Sequence, residues 1–238
     1  MRKKLRWIIP VAILALLASV FFLYTGIYYR AEEAAYDAMK SDERVEVVRT
    51  DYGWLFDGPS EETALIFYPG AKVEAKAYAP MLRLLAEEGM DVCLVEMPFR
   101  LAFFGLNKAE AVMREHQYGR WFIGGHSLGG AMAASYAHKH GDQLSGVILF
   151  AAYPTKVLNK HLIEVSIYGS EDGVLNMEKI AVGKAYAPDA FFECVIEGGN
   201  HAQFGNYGKQ KGDGTAGISA QEQQRQAVQF IVDSVMVK

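Results

Sequence analysis

Apolar residues fall into short runs that alternate with stretches of helical periodicity along most of the chain. Residues 64–68 and 92–96 are almost continuously apolar, as expected for strands that are covered on both faces. Between them, residues 75–88 repeat apolar positions three and four apart, which predicts an amphipathic helix. Strands that alternate with helices of this length indicate crossover connections. The pattern therefore predicts an α/β fold with a mostly parallel sheet flanked by helices.

The same pattern extends to the end of the chain and predicts one folded domain over residues 45–238, in keeping with the usual size of a domain. The predicted strands are 44–50, 53–56, 64–68, 92–96, 120–124, 146–151, 163–168 and 191–196, and the predicted helices are 75–88, 108–115, 127–140, 175–185 and 219–235.

Residues 7–29 form an apolar run without a charged residue. A bilayer core of ~30 Å needs about 20 helical residues, so this run is long enough to span it. The four cations Arg2, Lys3, Lys4 and Arg6 precede the run and are expected to stay in the cytoplasm. We therefore predict that residues 1–29 are a single transmembrane anchor that contacts the lipid bilayer through residues 7–29.

A cleaved signal peptide is the alternative, although no small-x-small cleavage site ends the run. In both cases the remainder of the chain is extracytoplasmic, either tethered to the cell membrane or secreted. Residues 30–44 are charged and rich in helix-forming residues. They are predicted to be a linker or stalk helix between the anchor and the domain.

The charge balance excludes one class of partner. The formal net charge is −4, and without the four N-terminal cations 20 basic residues face 28 acidic ones. A domain this acidic is a poor match for a phosphate backbone, so no nucleic acid is expected as a partner. Cys93 and Cys194 form no zinc motif, and we expect neither a metal nor an organic cofactor. Nothing in the sequence indicates an oligomeric state.

The main chemical signal is Gly125-His126-Ser127-Leu128-Gly129, which fits G-x-S-x-G. The motif lies between a predicted strand and a predicted helix, where a sharp turn would point the serine hydroxyl out of the sheet. Small flanking residues suit the crowding of such a turn. Ser127 is therefore the predicted nucleophile, and a structural N-cap serine in a glycine-rich loop is the alternative.

A nucleophilic serine needs a base, and the base needs a carboxylate that orients it. Along the chain, the acid is expected after the serine and the histidine after the acid. Glu171 and Asp172 follow the predicted strand 163–168, and His201 follows the predicted strand 191–196. Asp172 is favoured because it lies further into the turn and precedes a glycine, and Glu171 is the alternative. His126 lies within the motif itself, with its side chain expected to point away from Ser127.

Two backbone N–H groups are expected to hold the developing oxyanion. Leu128 supplies one, and the loop after strand 64–68 supplies the other, from Ala71 or alternatively from Lys72. Apolar and polar side chains near the same sheet edge are candidates for lining the substrate pocket: Phe99, Phe103, Phe104 and Gln203. A hydrophobic loop that packs over the core is the alternative for the three phenylalanines.

With these residues in order, the chain resembles the α/β-hydrolase superfamily, in particular a bacterial branch that is similar to dienelactone hydrolases. The resemblance is carried by FYPGAKVEAKAYAPMLRLLAEEG, VEMPFRLAFFG, GGHSLGGAMAA, YGSEDGV and GGNHAQFG. It implies an eight-stranded sheet with one antiparallel strand near its start and hydrolysis through an acyl-enzyme. Dienelactone hydrolases use a cysteine where this chain has Ser127, so their activity is not expected here.

The resemblance also implies a helical cap in many relatives, but only residues 153–162 are available for one here, so little or no cap is expected. The predicted function is a membrane-tethered serine hydrolase of a small-molecule ester, similar to a carboxylesterase. The alternatives are a non-catalytic binding protein of the same fold, or a hydrolase of an amide, a thioester or a carbon–carbon bond.

Overall fold

The computed structural model describes residues 2–60 and 62–236, with side chains from residue 9 onward in those ranges. Strands β1 to β8 are Glu46–Arg49, Gly53–Asp57, Thr63–Tyr68, Asp91–Val95, Arg120–His126, Gly146–Phe150, Ile163–Gly169 and Ala190–Ile196. Helices α1 to α7 are Arg2–Gly26, Glu33–Asp37, Ala79–Glu87, Lys108–Glu115, Leu128–His140, Met177–Gly183 and Ala220–Val235. The strands and helices predicted for the domain are all present, with ends that differ by a few residues.

The eight strands form one sheet in the order β1-β2-β4-β3-β5-β6-β7-β8. β2 is antiparallel to both of its neighbours, and the remaining pairs are parallel. One core cluster packs α3 and α7 on one face of the sheet, and a second packs α4 and α5 on the other. The predicted fold class, a mostly parallel eight-stranded sheet flanked by helices, is confirmed.

The loops that carry the candidate residues lie at one edge of this sheet. Parallel strands end at a common edge, so the loops after β3, β5, β7 and β8 meet there. The chain between β6 and β7 contains no helix in residues 151–162. This agrees with the expectation of little or no cap over the site.

Helix α1 stands apart from the core of the domain. Its segment Ile9–Gly26 has a mean hydropathy of 2.2, and 6% of it is buried. By length and composition this helix is sufficient to cross a membrane, and an N-terminal signal sequence meets the same criterion.

Residues 27–40, here called the tether segment, lie on the domain rather than extending from it as a stalk. Only Glu33–Asp37 is α-helical, and Ala35 within it is fully buried. The Tyr29 N–H donates to the Lys72 carbonyl at 2.8 Å, and the Glu74 N–H donates to the Tyr29 carbonyl at 2.9 Å. The tether segment is therefore joined to the loop after β3, because the open backbone groups of that loop pair with it.

Candidate active site

Ser127 occupies a strained turn between β5 and α5. Its backbone angles are φ 53° and ψ −123°, a region that costs a non-glycine residue roughly 1–3 kcal/mol. Two hydrogen bonds hold the turn: the Ser127 N–H donates to the Phe150 carbonyl at 2.9 Å, and the Ala131 N–H donates to the Ser127 carbonyl at 3.0 Å. Such strain persists only where the surroundings impose it, which makes this serine a candidate functional residue.

The glycines around Ser127 are required by close backbone contacts. A Cβ atom at Gly125 would lie 2.3 Å from the Tyr68 carbonyl oxygen, and one at Gly129 would lie 2.1 Å from the same atom. Any side chain at either position would push β3 away from the turn. The glycine spacing of the motif therefore reflects how tightly the turn packs against the end of β3.

His201 and Asp172 form a buried pair at the ends of β8 and β7. His201 Nδ1 lies 2.8 Å from Asp172 Oδ2, and both side chains are 1% exposed. The other oxygen, Asp172 Oδ1, accepts the N–H groups of Val174 at 2.9 Å and Leu175 at 2.8 Å. These bonds fix the carboxylate in one orientation. Glu171 is exposed, so Asp172 is the acid in contact with the histidine.

Ser127 and His201 line one cavity of about 250 Å³. The other residues that line it are Leu128, Ala131, Ala151, Ala152, Tyr153, Val174, Leu175 and Asn176. His201 Nε2 is buried and makes no hydrogen bond to any of the described residues. Because Nδ1 faces Asp172, Nε2 is the nitrogen left for proton transfer, and hydrogen bonds of this kind are often long before substrate binds.

The two predicted oxyanion donors come from neighbouring segments. Leu128 is the first residue of α5, where an N–H has no acceptor within the helix. A Cβ at Gly129 would lie 2.4 Å from the Pro69 carbonyl oxygen, so the loop before Ala71 runs directly along the first turn of α5. The alternative donor, the Lys72 N–H, instead donates to the Arg100 carbonyl at 2.9 Å. Among the described residues, the Ala71 N–H has no such acceptor.

Asp213 supports the histidine loop and was missed by the sequence analysis. Its Oδ1 accepts the N–H groups of His201 at 3.1 Å and Gly173 at 3.2 Å, and its Oδ2 accepts the N–H of Ala202 at 2.8 Å. One carboxylate therefore joins the loop of the acid to the loop of the histidine. The signal available in the sequence was an acidic residue within a glycine-rich polar loop, which indicates no particular contact.

Gln223 of α7 was also missed. Its side-chain oxygen accepts the Asn200 N–H at 2.9 Å, and its side-chain nitrogen donates to the Asn200 carbonyl at 2.7 Å. Gln223 is fully buried, so this pair of bonds holds the backbone next to His201 against α7.

His126 does not line the cavity of Ser127, in keeping with its predicted direction, but it contacts the site from behind. Its ring lies 4.4 Å from the His201 ring, centroid to centroid. Its Nδ1 is 2.9 Å from the Tyr78 hydroxyl, which accepts the Gly70 N–H at 3.1 Å. Burial lowers the pKa of His126 well below its usual 6.5, so its ring is neutral. His126 therefore connects the histidine loop with the loop after β3.

The four residues expected to line a substrate pocket lie elsewhere. Phe99 and Phe104 contact Phe21 of α1, with ring centroids 5.0 and 5.9 Å apart. Phe103 is 68% exposed, and Gln203 lines a separate cavity of about 350 Å³ beside the glycine-rich loop. None of the four lines the cavity of Ser127. The loop that contains the phenylalanines turns toward α1 rather than toward β5, and apolar side chains of α1 cover part of it.

Comparison with known proteins agrees with this fold. The chain is similar to the structure of TT1662 from Thermus thermophilus, with 14% identity and a TM-score of 0.57, over 82% of this chain and 100% of that one. It is similar to dienelactone hydrolase from Anabaena variabilis, with 10% identity and a TM-score of 0.55, over 81% and 99%. It is also similar to carboxyl esterase 2 from Tuber melanosporum, with 10% identity and a TM-score of 0.56, over 85% and 90%.

At these identities the structural matches show the fold alone. No curated protein sequence matches the chain. A family model described as the alpha/beta hydrolase family matches residues 64–225, which is more than half of the sequence and includes Ser127, Asp172 and His201. The chain belongs to the alpha/beta hydrolase family.

Proposed function

We propose that this protein is a serine hydrolase that cleaves esters through Ser127, His201 and Asp172. The observation that carries the proposal is the buried 2.8 Å contact between His201 and Asp172, with His201 lining the same cavity as a strained serine. A protein that only binds a ligand has no need for a serine in this conformation. The fold similarity to a carboxyl esterase supports the choice of an ester.

In the proposed reaction, His201 Nε2 takes the proton of Ser127 Oγ as this oxygen attacks the ester carbonyl carbon. The carbonyl oxygen becomes an oxyanion, which the N–H groups of Leu128 and Ala71 stabilise. The bond to the alcohol then breaks, and the proton on His201 passes to the departing alcohol oxygen. Water that loses a proton to His201 then attacks the acyl carbon. The bond to Ser127 Oγ breaks, this oxygen takes the proton back from His201, and the acid is released.

The size of the cavity limits the acyl group. At about 250 Å³ it is smaller than the roughly 300–1,000 Å³ of most ligand pockets. We expect p-nitrophenyl acetate and butyrate to be cleaved faster than the octanoate by the full chain in detergent. A preference for the octanoate would contradict this assignment of the acyl pocket.

A fluorophosphonate probe tests the nucleophile. We expect it to label the wild-type chain and not Ser127→Ala, with the adduct on the peptide that contains residue 127. Ser135→Ala is the matched control, because Ser135 lies on α5 about two turns further along and does not line the cavity. Folded wild-type protein that resists the probe and cleaves no ester would overturn the proposal in favour of a binding role.

We further propose that α1 remains attached as a membrane anchor and that the catalytic domain is extracytoplasmic. The apolar segment Ile9–Gly26 and the basic residues before it support this orientation. Intact mass measurement of the protein from isolated membranes should include residues 2–26. A mass that begins after Gly26 would show that the segment is a cleaved signal.

A further inference from the structure

An exposed aromatic loop lies beside the C-terminal end of α1. Its phenylalanines Phe99, Phe103 and Phe104 are 44%, 68% and 48% exposed. Three large apolar rings that are this exposed in six residues form a patch of the kind that binds an apolar partner. Residues 99–104 are here called the aromatic loop.

The aromatic loop packs against α1 at a defined height. The ring centroid of Phe21 lies 5.0 Å from that of Phe99 and 5.9 Å from that of Phe104. Phe22 lies 6.2 Å from Phe99. The phenylalanines of the loop therefore contact the helix itself.

The contact with Phe21 lies within the apolar segment of α1 and not beyond its end. Phe21 lies five residues before Gly26, the last residue of both α1 and its apolar segment. At 1.5 Å per residue, the contact is about 7 Å toward the centre of the membrane from the end of the span. Apolar side chains that bind at a membrane surface are buried roughly 5–10 Å into it. If α1 crosses a bilayer, the aromatic loop must therefore enter its surface.

Cations and tyrosines lie where the headgroups would be. The Lys72 ammonium is 4.1 Å from the Tyr24 ring centroid, and the Arg100 guanidinium is 3.5 Å from that of Tyr28. Neither cation forms an ion pair with a carboxylate of the described residues. Tyrosines at headgroup level and cations that reach for lipid phosphates are typical of a membrane interface.

The same contacts bring the membrane surface next to the candidate active site. Lys72 directly follows the proposed oxyanion donor Ala71, and its N–H is bonded to Arg100. β3, which leads into that loop, is the sheet neighbour of β5, which leads into Ser127. Neighbouring strands lie about 4.8 Å apart. The cavity of Ser127 is too small to enclose a long amphiphile, so most of such a substrate would remain outside it.

We propose that the aromatic loop inserts into the surface of the bilayer that α1 crosses, and that the substrate is an ester of an amphiphile held in that bilayer. This inference rests on the proposed function and on the retention of α1. The loop gives the domain a second membrane contact, which keeps the cavity of Ser127 beside the lipid surface.

Insertion is measured with a fluorescent label on the full chain in phosphatidylcholine–phosphatidylglycerol vesicles. NBD is attached to Phe103→Cys in a Cys194→Ser background, since Cys93 is fully buried. Val157→Cys is the control, because Val157 is 58% exposed and its carbonyl contacts His138 near the far end of α5. We expect nitroxide-labelled lipids to quench the label at position 103 several-fold more than that at 157. Equal quenching at the two positions would overturn insertion. Insertion would also be overturned if the label at position 103 were protected from iodide but not quenched by the lipids, which is the result expected if a second copy of the chain covered the patch.

The substrate class is tested with two esters that share their acyl group and reacting atoms. One is 4-methylumbelliferyl butyrate in solution, and the other is 4-heptadecylumbelliferyl butyrate dissolved in the vesicles. A carboxylate at a membrane-inserted position opposes insertion, so Phe103→Asp should lower the ratio of membrane-ester to soluble-ester hydrolysis about tenfold. Phe103→Leu should keep the wild-type ratio.

The remaining outcomes separate this inference from the proposed function. A Phe103→Asp variant with an unchanged ratio, or wild-type protein that cleaves only the soluble ester, overturns the substrate class and leaves the serine hydrolase intact. If wild-type protein cleaves neither ester, the proposed function fails together with the substrate class. Lipid quenching still decides the insertion of the aromatic loop in that case.

Discussion

Two regions meet at the carboxyl edge of the sheet, and they are held together in different ways. The proposed catalytic region, below called the catalytic region, consists of Ser127, Asp172 and His201 at the ends of three parallel strands, where the acid and the histidine are almost fully buried. The anchor region consists of α1, the tether segment and the aromatic loop, where side chains are largely exposed and contacts are aromatic or through the backbone. The acid and the histidine of the first region are shielded from solvent, whereas the second region faces outward.

The difference separates chemistry from access. In the proposed reaction, bonds in the catalytic region orient the reacting groups, so their loss should reduce hydrolysis of every substrate. In the proposed membrane arrangement, contacts in the anchor region set where the cavity lies relative to the bilayer, so their loss should change which ester reaches it. Substitutions in the two regions are therefore expected to change hydrolysis in different ways as well as by different amounts.

The largest effect is expected from the acid. Asp172→Asn should lower kcat/KM for p-nitrophenyl butyrate by about 10³–10⁴, because the amide cannot orient and stabilise the charged histidine as the carboxylate does. Glu171→Gln is the matched control and should retain activity within about twofold, since its side chain is exposed. If Glu171→Gln lost most of its activity while Asp172→Asn stayed active, Glu171 and not Asp172 would be the acid of the triad.

A smaller loss is expected from the carboxylate that joins the two catalytic loops. Asp213→Ala leaves four backbone N–H groups without their acceptor, those of Gly173, His201, Ala202 and Gly214. We expect kcat to fall about 10–100-fold and the melting temperature to fall as well, because unpaired N–H groups cost about 1–3 kcal/mol each. Asp189→Ala, at an exposed acid, should change neither. Wild-type kcat in Asp213→Ala would show that the loops keep their positions without this bridge.

These expectations also show which parts of the site the sequence predicts. The turn at Ser127 and the strand ends before Asp172 and His201 follow from local spacing and from chain order, which the parallel sheet converts into proximity. Asp213 accepts a backbone N–H 12 residues before it in the chain, and Gln223 accepts one 23 residues before it. Neither residue belongs to a recognisable sequence motif. No periodicity indicates such a pairing.

The anchor region was the least predictable part. Residues 30–44 have a composition typical of an exposed helix, yet residues 29 to 32 pair with loops after β3 and β8 through backbone groups that any sequence possesses. The aromatic loop has a composition that would suit the lining of a substrate pocket. Only the position of α1 in the structure shows that the loop packs against this helix instead. Local composition shows that a segment is suited to packing against an apolar or a polar surface, but tertiary contacts determine which surface it packs against.

His126 connects the histidine loop with the loop after β3, and it should make stability depend on pH. Its folded-state pKa is well below 6.5 because the ring is buried. As pH falls below about 6.5, the unfolded chain binds a proton that folded His126 does not, so the free energy of unfolding decreases by at most about 1.4 kcal/mol per pH unit. His126→Phe should show a shallower decrease between pH 7.5 and 5.5 in thermal unfolding. Equal slopes would mean that His126 is not held neutral.

The smallest effect is expected from Glu74, whose side chain makes two hydrogen bonds to the tether segment. Glu74 accepts the Ala31 N–H at 3.1 Å and the Tyr36 hydroxyl at 3.0 Å. Glu74→Ala should lower the melting temperature by about 2–4 °C, the effect of roughly 1 kcal/mol. Hydrolysis of p-nitrophenyl butyrate should remain within about twofold of wild type. A large loss of that activity would show that the tether segment also controls the chemistry.

The proposed reaction requires Ser127, His201 and Asp172 to act together at one edge of the sheet. A crystal structure of the full chain after reaction with a fluorophosphonate would show whether they do. We expect phosphorus bonded to Ser127 Oγ, with His201 still paired to Asp172 and the phosphonyl oxygen about 3 Å from the nitrogens of Leu128 and Ala71. Phosphorus on another residue, or an adduct on Ser127 with His201 turned away from the site, would rule out this triad.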